Sequence, residues 1–206
     1  LVVIDFYNVN DIHGKFCDSD KQPGVDELAT YLKKMSQHDD NSVFLSSGDM
    51  WQGTAESNLS RGAIFVDWMN QLGFVSMTLG NHEFDWGLDE IKKYKDGDLS
   101  NGEADFPFLG ANIYYKGTTT RPDWIDPYAI IEQDGLKVGV IGVIGDSQES
   151  SILTRYVKDY DFVDPVNIIK STASYLRDTE DWDVVVVATH DYDSYLNQSI
   201  AALSGS

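Results

Sequence analysis

The chain has 206 residues, 42% hydrophobic and 12% aromatic, which suffices for a buried core and excludes a disordered polymer. With 15 basic against 34 acidic residues the formal charge is −19, a field that repels polyanions and argues against a nucleic-acid polymer as partner. Cys17 is the only cysteine, so no disulfide forms within the chain, and no apolar run reaches membrane-spanning length.

The chain opens inside an apolar stretch, Leu1-Val2-Val3-Ile4, without an initiator Met, and reads as a mature or excised product. Residues 1–7 read as a first strand, with Asp5 marking a wet face or end. Asn10-Asp11-Ile12-His13-Gly14 follows. In extended backbone, residues two apart project to one side, so Asp11 and His13 are expected to converge there. From Gly24 to Gln37 the apolar residues Val25, Leu28, Leu32 and Met35 form one helical stripe. His38 at its end is assigned no role.

Val43 to Ser47 reads as a second strand, followed by Gly48-Asp49-Met50-Trp51-Gln52-Gly53, again a carboxylate just past a strand end. A strongly apolar helix over 63–72 returns the chain to a strand at 75–79, a rhythm that implies parallel strands and crossovers. That strand closes on Gly80-Asn81-His82-Glu83-Phe84-Asp85-Trp86-Gly87. Asn81 and His82 are adjacent and in an extended loop point apart, free for two tasks. His82 and Asp85 are three apart, a spacing one helical turn brings onto one face. Asn81 therefore reads as a metal ligand, and His82 with Asp85 as an acid dyad aimed at a leaving group. The alternative is a capped turn with solvated polar groups.

A short helix over 88–94 precedes a polar loop, and 106–112 reads as another strand. Residues 128–133 and 136–144, separated by a glycine turn, read as a hairpin that adds antiparallel strands to the sheet. No element is assigned to 146–161. A helix is expected over 166–176, with Pro165 at its start. Residues 183–189 form the clearest buried strand, which delivers His190, and 195–203 reads as helical.

Asp11 with His13, Asp49, Asn81 with His82, and His190 each follow an expected strand directly. If the strands run parallel, these groups gather along one edge of the sheet. A central carboxylate, here Asp49, can bridge two cations about 3.5–4 Å apart. Two divalent cations less two carboxylates and one hydroxide leave a positive pocket, which suits a phosphate even in an acidic protein. Mixed His, Asp and Asn donors suit Mn, Zn, Fe or Co alike.

These stretches resemble the first three motifs of the calcineurin-like metallophosphoesterases. Gln52-Gly53-Thr54, Glu83-Phe84-Asp85 and the run Phe162-Val163-Asp164-Pro165-Val166 are similar to its 5′-nucleotidase branch. The resemblance implies a four-layer α/β/β/α sandwich with mixed sheets. It also implies two divalent ions, one served by Asp11, His13 and Asp49 and the other by Asp49, Asn81 and His190. His82, oriented by Asp85, would stabilise or protonate the leaving oxygen, and a hydroxide bridging the ions would attack phosphorus in line. The implied substrate is a nucleotide or similar phosphate ester. Cyclic-nucleotide diesters, or a non-catalytic binding module on the same scaffold, are the alternatives. Family habit and acidity favour a secreted, periplasmic or cell-surface location.

Two departures stand out. The family usually follows its penultimate histidine with a glycine-containing sequence, whereas here it is His190-Asp191-Tyr192-Asp193. Its last Gly-His-x-His motif has no counterpart, because no histidine follows His190. The expectation is therefore a catalytic domain over 1–206 that is incomplete at its C-terminus, lacking its final strands and a substrate-binding C-terminal domain.

Overall fold

The computed structural model describes residues 2–18, 23–36 and 41–203. His38, assigned no role above, lies outside them. Strands β1 (Asp5–Val9), β2 (Ser42–Ser46), β3 (Ser76–Thr78) and β4 (Phe108–Leu109) form one all-parallel sheet in that order. Helix α1 (Val25–Ser36) makes the first crossover. The short α2 (Ala55–Ser60) and α3 (Ala63–Leu72) make the second, and α4 (Leu88–Lys92) lies in the third. On α3 the residues Phe65, Val66, Trp68 and Met69 are buried, the stripe that a 3.6-residue period puts against a sheet.

The hairpin forms as expected, β6 (Tyr128–Gln133) against β7 (Leu136–Ile144), but it does not join the first sheet. With β9 (Val184–His190), which runs parallel to β7, it builds a second, mixed sheet. A third, two-stranded unit pairs β5 (Ile113–Tyr115) with β8 (Tyr160–Phe162). Helix α5 (Thr154–Val157) precedes β8. The strand expected over 106–112 is cut short, and only its centre, β4, pairs with β3. It ends there because the Ala111 amide, next in line for the β3 ladder, turns instead to the Gly142 carbonyl of the neighbouring strand at 2.7 Å.

Three apolar clusters show why the two sheets stack. Val43, Leu45 and Leu109 of the first sheet pack on Ala129, Ile131, Val138, Val140 and Ala188 of the second. Each such larger side chain contributes about 1.5–3 kcal/mol by leaving water. The opposite face of the second sheet, Ile141 and Val143, is covered by Ile169 and Leu176 of α6 (Pro165–Asp178), with Ile200 of α7 (Ser194–Ala201) beside them. The outer face of the first sheet packs on α1 and α3. The result is the four-layer α/β/β/α order. Asp164 caps α6 by accepting from the Val166 amide at 2.9 Å, and Pro165 begins it. Among the described residues no helix is long and apolar enough to cross a membrane.

The stacking changes where the strand ends meet. Asp11, Asp49 and Asn81 leave the first sheet, but His190 leaves the second. The expected single sheet edge is therefore a seam between two sheets. Asn112, buried just past β4, ties the first sheet to the end of β7: its side chain donates to the Ile144 and Val163 carbonyls and accepts from the Ile144 amide.

Candidate metal centre

Past the ends of β1 and β2 the parallel pairing continues between loops. The Asp11 amide donates to Gly48 O at 3.0 Å, His13 to Asp49 O at 3.0 Å and Gly14 to Met50 O at 2.9 Å. These bonds hold Asp11, His13 and Asp49 in left-handed backbone, at φ 54°, 50° and 56°. Six described non-glycine residues have positive φ, and half of them are these three, so the strain is concentrated here. Asp11 and His13 therefore approach each other through left-handed turns, not through the extended backbone expected from their spacing.

Asn81 is likewise not extended. It has helical dihedrals and caps a 3-10 turn over His82–Phe84. A Cβ on Gly80 would lie 2.2 Å from Asp49 Oδ1, so only glycine lets the two loops close. The closure delivers the His82 amide to Asp49 Oδ1 at 2.9 Å.

Glu83 locks the same two loops from beneath. Fully buried, it accepts from the amides of Asp49 (2.8 Å), Met50 (2.9 Å) and Gly80 (2.8 Å). Burial, aided by the charge of Asp49, raises its pKa to about 7 against the pull of those amides. Reading the sequence assigns Glu83 no role of its own. A carboxylate between a histidine and a phenylalanine carries no sign that it faces inward.

Asp49 keeps Oδ2 for the site. It faces His190 Nε2 at 3.3 Å and His13 Nε2 at 3.9 Å. Burial opposes the Asp49 charge, yet the hydrogen bond and charge of His190 and the His82 amide hold its carboxyl below the usual range. His190 receives the complement: burial disfavours its cation, but Asp49 outweighs it and lifts the imidazole to about 9. Its Nδ1 lies 2.7 Å from the Ser47 carbonyl and its Nε2 3.1 Å from Asn81 Oδ1. His13 Nε2 stands 3.5 Å from Asp11 Oδ1.

His82 Nδ1 meets Asp85 Oδ2 at 2.6 Å across one 3-10 turn. Burial works against its cation. The Asp85 bond and the charges of Asp49, Asp85 and Glu83 prevail and raise its pKa. Its ring also stands edge-on to His13, centroids 5.1 Å apart. His13, Asp49 and His82 offer ligand atoms all within 4.8 Å of one another, so distance alone does not separate His82 from the ligands. Its Nδ1 contact with Asp85 favours the charged, proton-donating form of the ring.

Two ligands roughly 2.1 Å from one ion lie roughly 3.0–3.4 Å apart at tetrahedral or octahedral angles. The separations from His190 to Asp49 and to Asn81, 3.3 and 3.1 Å, fall in that range, while those from His13 to Asp11 and to Asp49, 3.5 and 3.9 Å, are wider. The donors fit divalent ions of borderline character. Of the seven residues singled out from the sequence, six lie on the loops past β1, β2 and β3, and the seventh, His190, ends β9 on the other side of the seam. A cleft of about 90 Å³ there is lined by Asn10, Asp11, Thr189, His190, Asp191 and Tyr192.

Two stacked sheets with Asp, Asn and His donors at their strand ends define a class. The profile of the calcineurin-like phosphoesterases matches residues 4–201, and the chain belongs to that family. Several of its relatives there are named nucleotidases, and another a cell wall protein. The chain is 30% identical over 191 residues to a 5′-nucleotidase of Vibrio cholerae, covering 89% of this chain and 32% of that protein. It is 31% identical over 216 residues to the cell wall protein Lmo0130 of Listeria monocytogenes, covering 92% of this chain and 27% of that one. Among solved structures, the NAD nucleotidase of Haemophilus influenzae superposes with a TM-score of 0.79 at 25% identity, covering 96% of this chain and 36% of the other. The 5′-nucleotidase precursor of Thermus thermophilus does so with a TM-score of 0.75 at 25% identity, covering 91% and 37%. The chain thus spans about a third of the length of these relatives.

Proposed function

We propose that the chain is the catalytic unit of a metal-dependent phosphoric-ester hydrolase acting on nucleotides. The observation that carries this reading is that His13 and His190 both face Asp49, with Asp11 beside His13, Asn81 beside His190, and the His82–Asp85 pair next to them. Asp11, His13 and Asp49 would hold one divalent cation, and Asp49, Asn81 and His190 a second. Bound there, the ions would neutralise phosphate charge and acidify the attacking water. Asp49 would be shared, since Oδ1 is occupied by the His82 amide and Oδ2 faces both imidazoles. His82, its Nδ1 held by Asp85, would hold the proton that the leaving oxygen takes.

A groove of about 480 Å³ that includes Asp11, Ile12, Val25, Leu28 and Tyr31 in its walls offers the organic part of a substrate an apolar surface. The names of the nucleotidase relatives support a nucleotide as substrate. The Listeria relative's description as a cell wall protein supports a location outside the cytoplasm.

The test is phosphate release from nucleoside monophosphates by the full-length protein, with Mn²⁺ and with EDTA. Release that depends on metal supports the assignment. No metal-dependent release from any phosphate ester overturns it.

A further inference from the structure

Of the proposed ligands only Asp11 is exposed; its side chain is 53% accessible, against 32% for His13 and 4% for Asp49. A carboxylate in water samples several rotamers, and ordering it weakens ion binding unless something has ordered it already. The structure contains such a device. Asn8 and Asn10 are two apart at the end of β1 and so share one face, while Val9 between them turns to the core. The buried Ser47 follows Ser46, the register partner of Val9. Ser47 Oγ donates to Asn8 Oδ1 at 2.9 Å, Asn8 Nδ2 to Asn10 Oδ1 at 2.9 Å, and Asn10 Nδ2 to Asp11 Oδ2. Every donor in this chain points toward the carboxylate, so each bond polarises the next. The same Ser47 accepts the Nδ1 proton of His190 on its carbonyl at 2.7 Å.

We propose that Ser47, Asn8 and Asn10 form a positioning relay that orders Asp11 and ties it to His190, so that one serine sets both ends of the centre. The inference rests on the reading of this centre as a metal site. None of the three relay side chains serves as a ligand; they act through Asp11. Outer partners of metal ligands are worth about 10–100-fold in metal affinity. The exposure of the relay places Asn8→Ala at about the tenfold end.

The experiment is Mn²⁺ titration of the full-length protein by calorimetry and EPR, with Asn8→Ala, Ser47→Ala, their double variant and Ser47→Thr. In the wild type two ions bind. In Asn8→Ala and Ser47→Ala one of them weakens about tenfold while the other shifts less than about twofold, and Ser47→Thr, which keeps the hydroxyl, restores it. The double variant is no weaker than either single, because both cut one chain. Asn8 is exposed, so the thermal midpoint of metal-free Asn8→Ala matches the wild type. Unchanged affinity for both ions in Asn8→Ala, or losses that multiply in the double variant, overturns the relay alone. A wild type that binds no Mn²⁺ overturns the metal reading, and the relay with it.

Discussion

The seam has a buried side and a wet rim, and they are built by different means. On the buried side the side chains of Asp49 and His190 are 4% and 9% accessible, and backbone groups fix both: the His82 amide on Asp49, the Ser47 carbonyl on His190. On the rim His82, His13 and Asp11 are 34%, 32% and 53% accessible, and side chains fix them: Asp85 for His82, Asn10 for Asp11. Buried charge must be met by groups that cannot leave, and amides supply them. At the rim water competes for every bond, so orientation there depends on short local pairs. The buried side should therefore govern whether the centre exists, and the rim how well it works.

The largest effect tests that division at its midpoint. Asp49→Ala removes the one oxygen facing both imidazoles. Elemental analysis should find both ions lost, and turnover should fall by roughly 10³ or more, beyond the 10²–10³ that one electrostatic stabiliser is worth. A variant that still carries two ions would show that Asp49 is not shared. Glu83→Ala comes next and acts on stability. It leaves three buried amides without an acceptor, at about 1–3 kcal/mol each. Chemical denaturation should show a loss of at least about 3 kcal/mol, large against a typical 5–15. Wild-type stability in this variant would mean that Glu83 does not lock the two loops.

The division also separates what could be read in the sequence from what could not. Helix α3 and the hairpin of β6 and β7 were legible to the residue, because their periodicity is strong and glycines bound them. The residues that gather at the seam were legible because a polar residue just after an apolar run is unusual. The second sheet was legible only through the four-layer order that the family resemblance implies, and not in the hairpin's own residues. A hairpin's residues determine its own pairing, but whether it extends a sheet or starts another depends on faces met later, such as Ala129 and Val140 on Val43. The left-handed turns at Asp11 and His13 were hidden as well, since Asp and His tolerate such φ without requiring it. Ser47 acts partly through its carbonyl, which every residue has, and leaves no trace in the sequence.

On the rim, His82→Ala should lower kcat by about 10²–10⁴, the range for a general acid. The loss should be larger for nucleoside monophosphates than for 4-nitrophenyl phosphate, whose leaving group departs without a proton. Equal losses on both substrates would make His82 a ligand or phosphate binder instead, a role its place within 4.8 Å of His13 and Asp49 also permits. Asp85→Asn should follow the same pattern at about tenfold, as expected of a partner that orients another group.

The smallest effect concerns the metal-free protein, and its sign follows from which way each group is shifted. His190 is raised from 6.5 to about 9, so its bond to Asp49 stabilises the fold fully below pH 6.5 and is lost as pH rises through 9. Glu83, raised from 4.5 to about 7, adds a loss of the same sign at lower pH, between 4.5 and 7. Asp49 is shifted the other way, so its contribution is present above its ordinary value of 3.8 and disappears only in stronger acid. The thermal midpoint of the metal-free protein should therefore fall between pH 6.5 and 9. The fall is read on a scale of about 2–4 °C per kcal/mol in a chain of this size. His190→Asn should flatten the upper part of the window, above pH 7, and leave the part due to Glu83. Saturating Mn²⁺ should flatten it too, because an ion takes the imidazole only in its neutral form and replaces the proton that alkali removes. A midpoint that rises from pH 7 to 9 without metal would mean that Asp49 and His190 are not paired in the empty site, and that the buried side is assembled by the ions rather than before them.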